Sequence, residues 1–186
     1  MEFSWVERFY THFLARDISK LFSGGLFICI VEYAFWGKID LPTGFSLESI
    51  GFLIISYLVG MAFSSLIIRL KISGKFEIPE DYENNRLLFE EDLLKTYNER
   101  VINHYERYIY LMIVARTVGL SSLFGGFLMI VIILSRNIFK PEHLSTEYYL
   151  LMFSSLIYGI YMIFDARKKT QYINKLNKEL GIGIKK

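Results

Sequence analysis

Tyr108–Ser135, YIYLMIVARTVGLSSLFGGFLMIVIILS, is a run of apolar and small residues broken by one charge, Arg116. A bilayer core about 30 Å thick is crossed by roughly 20 apolar helical residues, so this run is long enough to span a membrane. Working outward, three more runs have the same character: Leu21–Gly37, Ser49–Ile68 and Tyr148–Phe164, with Glu32 the one charge among them. The chain therefore reads as all-α, a polytopic membrane protein with four transmembrane helices.

The basic residues fix an expected orientation. Arg8, Arg16 and Lys20 precede the first span, seven Lys and Arg lie between spans two and three, and seven more follow span four. The other two connections hold only Lys38 in one and Arg136 with Lys140 in the other. By the positive-inside rule both ends of the chain and the central segment are cytoplasmic, and the chain crosses its membrane several times. A composition of 53% hydrophobic with 22% charged residues suits apolar spans alternating with charged aqueous segments. The net charge of +2 is too small to argue for nucleic acid, so no direct nucleic-acid binding is expected, and the basic excess suits an anionic inner leaflet.

The expected organisation is an interfacial amphipathic helix over 1–20, a first transmembrane pair over 21–70, a cytoplasmic helical segment over 71–107 that continues into span three, a second transmembrane pair over 108–166, and a basic tail helix over 167–186. Trp5, Phe9 and Phe13 recur every four residues in the first of these, as in an aromatic anchor at headgroup depth. Pro79 followed by Glu80, Asp81 and Glu83 marks a helix start. Leu87, Leu94, Val101 and Tyr108 then recur every seven residues, with Tyr97 and His104 three residues after two of them, a stripe for packing against another helix. Its partner is either the tail helix or another protomer. Gly24, Gly25, Gly60, Gly119, Gly125, Gly126 and Gly159 lie inside the spans, where small residues let backbones approach and helices associate.

Charge at bilayer depth is costly, about 2.5–3.5 kcal/mol on insertion scales, so Glu32 and Arg116 are the leading candidates for a functional site. Counted from the starts of their apolar runs they differ in depth by about 4.5 Å. They form an ion pair that fixes span one against span three, or line a water-filled passage, or snorkel from a lipid-exposed position. No Gly-rich phosphate loop, His-Glu-x-x-His, Cys-x-x-Cys or nucleophile elbow is present, and His12, His104 and His143 are scattered. The expectation is a protein that is not an enzyme and holds no cofactor and no metal.

Arg136 and Asn137 followed by His143 match the loose pattern of HEPN ribonucleases. The expected topology sets these residues on the noncytoplasmic side, so the motif is read as divergent and not catalytic. The stretch Phe13–Gly25, FLARDISKLFSGG, is similar to small bacterial membrane proteins found near defence genes, in which an interfacial helix ends in Arg-Asp before a Gly-containing span. Taken with the Arg136-Asn137…His143 pattern, the chain resembles the small membrane accessory protein of type VI-B CRISPR systems. That resemblance implies an oligomeric pore in the bacterial inner (cytoplasmic) membrane, supporting antiphage defence by an RNA-guided effector through depolarisation of the infected cell. The expected function is thus a homo-oligomeric pore or channel. The alternative is a non-conducting membrane scaffold or regulatory subunit that recruits a cytoplasmic partner.

Overall fold

The computed structural model describes residues 3–70, 99–139 and 145–179. They form four helices: α1 (Phe3–Trp36), α2 (Leu47–Leu70), α3 (Glu99–Phe139) and α4 (Thr146–Glu179), with no strand among the described residues. All four are long and apolar enough to cross a membrane, and the chain is an all-α membrane protein. With 41 residues, α3 is about 60 Å long at 1.5 Å per residue, twice the thickness of a bilayer core. α1 and α4, each of 34 residues, also overrun it.

The amphipathic segment and the first span are one continuous helix. Neither Gly nor Pro occurs between Phe3 and Ser23, so nothing breaks the backbone ladder where the solvent changes. The same holds at the other edge: the tail runs on from span four through Glu179 without interruption. The central segment of 71–98, with Leu87, Leu94 and Tyr97 of the expected stripe, lies outside the described residues.

α1 stops at Gly37, whose φ of +71° favours a residue without Cβ and whose N–H donates to the Tyr33 carbonyl at 2.8 Å. α2 is opened by Ser46, whose Oγ accepts from the Ser49 N–H at 3.2 Å. The connection between them defines the loop end of the bundle. α1 runs towards that end, α2 away from it, α3 towards it and α4 away.

α3 packs most extensively on α4, and α1 packs on both α2 and α3. Two glycines set the α1–α2 distance. A Cβ on Gly24 would stand 1.8 Å from the Ser56 carbonyl oxygen, and one on Gly60 would stand 2.0 Å from the Lys20 carbonyl oxygen. Ile30 lies over Gly125, which sets the register of α1 on α3, and Gly119 faces Gly159 across the α3–α4 seam. The core divides into a loop-end cluster around Met129, Ile30 and Ala34, a middle cluster of Phe63, Ile67 and Leu120, and a third of Tyr105, Met112 and Ile173 at the opposite end.

Candidate functional site

The register places the two intramembrane charges at opposite ends of the apolar layer. Arg116 lies nine residues before Gly125 and Glu32 two after Ile30, a separation of eleven residues, or about 16 Å along the bundle axis. No ion pair joins them. The expected depth difference of about 4.5 Å assumed that spans one and three begin level, whereas α3 starts well below the membrane boundary and carries Arg116 down with it. Each charge sits within about a turn or two of a boundary, where snorkelling to water is cheap.

Arg116 belongs to a polar layer at the end opposite the loop. Its Nη2 donates to Thr170 Oγ1 at 2.8 Å, while its buried Nε has no partner. On the α1–α2 side of the same layer, Asp17 accepts from Lys20 Nζ at 3.0 Å and from the Tyr57 hydroxyl at 3.1 Å, with Lys20 5.3 Å from the Tyr57 ring centroid. Asp165 and Lys169 pair one turn apart on α4.

Beyond this layer α3 and α4 continue as an antiparallel pair. Tyr105 donates to Asn177 Oδ1 at 2.7 Å in its buried seam. The tail is therefore the partner of the first described turns of α3, where His104 and Tyr108 of the expected stripe both meet Tyr172 of α4 and Tyr108 packs against the cluster of Tyr105, Met112 and Ile173. Tyr105 and Met112 are buried, whereas His104 is exposed, bonded to the Tyr172 hydroxyl at 3.1 Å and packed beside Tyr108. Tyr105 combines a large apolar ring with a hydroxyl that Asn177 satisfies, which lets it take the seam position. Val101 lies in the first turn of α3.

At the loop end, Glu32 faces a cleft of about 610 Å³ between α1, the connection and the start of α2. Asp40, Glu48, Thr43 and Ser46 supply its other polar lining. One Glu32 carboxylate oxygen, Oε2, is buried with no hydrogen-bond partner. Lys38 pairs with Asp40 at 2.5 Å, and that bond and charge hold its ammonium above the ordinary lysine range. No three His, Cys, Asp or Glu among the described residues converge as a metal ion requires. Arg136 and Asn137 lie in the last turn of α3 and His143 lies outside the described residues, so the ribonuclease-like motif acquires no described geometry.

α4 carries a feature that hydropathy alone misses. Its buried residues form one line, from Tyr148 through Ser155, Gly159 and Ala166 to Asn177, so it leans on α3 and leaves most of its circumference uncovered. The uncovered surface has two flanks. Leu150, Phe153, Ile157, Ile160 and Phe164 make an apolar one, while Ser154, Tyr158, Tyr161, Asp165 and Lys168 fall together on the other at alternating spacings of four and three. The second row is legible in the sequence once α4 is drawn as a helix with its buried line known. The chain matches no protein-family model, no curated protein and no solved structure.

Proposed function

We propose that this chain is the protomer of a homo-oligomeric membrane pore or channel. The observation that carries the reading is the edge position of α4, a helix at bilayer depth that buries a single line of residues, against α3 along its length and against α1 only at the loop end. Four helices alone fill their own centre with side chains, and here the contacts of Gly24 on Ser56, Gly119 on Gly159 and Gly126 on Leu156 close the seams. A passage then runs between copies rather than through one. The distribution of Lys and Arg supports cytoplasmic placement of both ends of the chain and of the α3–α4 extension, and the resemblance stated above implies a bacterial inner membrane. The resemblance to the type VI-B accessory protein adds a role in antiphage defence, permeabilising or depolarising that membrane when an RNA-guided effector is active. No catalytic role is assigned.

The test is the mass of the purified protein in detergent together with ion flux from liposomes that contain it. A multimer that passes ions is expected. A monomer that leaks nothing refutes the pore and favours the alternative, a non-conducting scaffold. That reading would use the outer surface of the α3–α4 extension, which the buried Tyr105–Asn177 bond holds together, to recruit a cytoplasmic partner.

A further inference from the structure

The polar flank of α4 crosses the middle of the bilayer. Tyr158 is twelve residues past the start of α4 at Thr146, about 18 Å along an axis that must cross about 30 Å of hydrocarbon. Tyr161 lies most of a turn further on. Tyrosines anchored at membrane surfaces sit at headgroup level, as Tyr33 and Tyr148 do at the loop end, where the Tyr33 hydroxyl donates to Glu147 at 2.9 Å. Tyr158 is too deep for that role, and Tyr161, four residues or about 6 Å before Asp165, carries the row towards the charged end. They are 45% and 65% exposed, and neither hydroxyl has a hydrogen-bond partner among the described residues. Acyl chains offer them none, and an unpaired hydroxyl transferred to hydrocarbon is unfavourable.

The neighbours on the helix sort the same way. Ser154 lies above the two tyrosines and Asp165 and Lys168 lie below them, so the row is polar along its whole length. Phe153, Ile157, Ile160 and Phe164 keep the adjacent flank apolar across the same depth, and each is about half exposed or more. An edge helix with one lipid-like flank and one flank of hydroxyls leading to charge has two solvents.

We infer that the flank of α4 bearing Ser154, Tyr158, Tyr161 and Asp165 faces water within the bilayer and forms the wall of the passage between copies of this chain. The inference rests on the pore reading above and names the lining helix. Hydroxyls at mid-depth replace part of a permeating solute's hydration, and Asp165 with Lys168 stands at the mouth on the α3–α4 extension side. The apolar flank meets lipid or the neighbouring copy.

Single cysteines placed at 154, 158 and 161, and at 153, 157 and 160, in a full-length Cys29→Ala background test this in liposomes. A thiol reacts as its thiolate, a form that water supports and hydrocarbon does not. A charged, membrane-impermeant maleimide is expected to label the first set at least about tenfold faster than the second, because the two sets differ in solvent. Equal or reversed rates overturn the inference. Flux from the same liposomes separates it from the pore reading. Flux that maleimide blocks at 158 and 161 supports both, whereas flux with no labelling there overturns the inference and leaves the pore standing. Labelling of the first set without any flux supports a water-facing flank and refutes the pore. Should a cysteine variant fail to assemble, a Tyr158→Phe, Tyr161→Phe double variant keeps both rings and removes both hydroxyls. Loss of most of the flux at unchanged oligomer mass is expected from it, and flux equal to the unsubstituted protein overturns the inference.

Discussion

Gly24→Ala should be among the most costly single-methyl additions in the molecule. The new Cβ would stand 1.8 Å from the Ser56 carbonyl oxygen and 2.9 Å from the Gly60 nitrogen, both backbone atoms that no rotamer change can move. Ordinary van der Waals contact begins near 3.4 Å, so α1 and α2 must part by about 1.5 Å. A radial gap of about 0.5–1 Å already forfeits a quarter to a half of a dispersion well, and membrane helices lack a hydrophobic drive to compensate. We expect a loss of about 1–3 kcal/mol, the usual cost of overpacking, against a helix-propensity gain of at most about 1 kcal/mol. Gly51→Ala is the control, since a Cβ there meets open space, and it should be neutral or stabilising. Gly60→Ala opens the same seam from the other side, so the double variant should cost clearly less than the two single costs together. Reversible unfolding in mixed detergent micelles, followed by circular dichroism, gives the four values. A neutral Gly24→Ala, or strict additivity with Gly60→Ala, would refute the argument that these backbones set the distance between the helices.

Thr170→Val removes the hydrogen-bond partner of Arg116 and should destabilise by about 1–3 kcal/mol, as expected when a buried group loses its partner. Adding Arg116→Met should recover part of that loss in the same unfolding assay. Tyr105→Phe deletes the donor to Asn177 and should cost about 0.5–1.5 kcal/mol, with faster amide exchange confined to the end of α4 around Asn177. Asp40 raises the Lys38 pKa, so the stabilisation from that pair is complete below the ordinary lysine value near 10.4 and is lost only as pH climbs through the higher folded value. Asp40→Asn should therefore bring the Lys38 titration, followed by NMR, down towards the ordinary range and remove the pair's small, solvent-screened contribution at pH 7.

The four spans were legible because hydropathy over a bilayer's thickness is a sum over composition, insensitive to how the helices are rotated or shifted. The glycines of the seams were legible for a related reason: a residue without a side chain inside an apolar run has little use except close approach. Gly24, Gly60, Gly119, Gly125, Gly126 and Gly159 all take that role. The depth of Glu32 relative to Arg116 was not legible, because it depends on the register of α1 on α3. Ile30 over Gly125 fixes that register, and no run length encodes it. The centre of the α3–α4 seam was less legible, since the buried Tyr105 and Met112, seven residues apart, lie outside the expected stripe of His104 and Tyr108 that packs beside them.

That same register decides how the membrane-embedded charges are to be understood. Two charges level with one another near mid-bilayer would compel a buried pair, because each would otherwise be unfavourable by several kcal/mol. Two charges about 16 Å apart, one near each surface, compel nothing of the kind. Glu32 faces a polar cleft and Arg116 bonds Thr170, so each charge belongs to its own end. The layer between them is packed with apolar side chains and the buried hydroxyls of Ser23, Ser56, Ser121 and Ser122 on α1, α2 and α3, while α4 carries exposed hydroxyls on its outer surface. If water enters this protein's transmembrane layer, α4 is the helix whose surface chemistry admits it, and neutralising Glu32 or Arg116 should disturb stability more than passage.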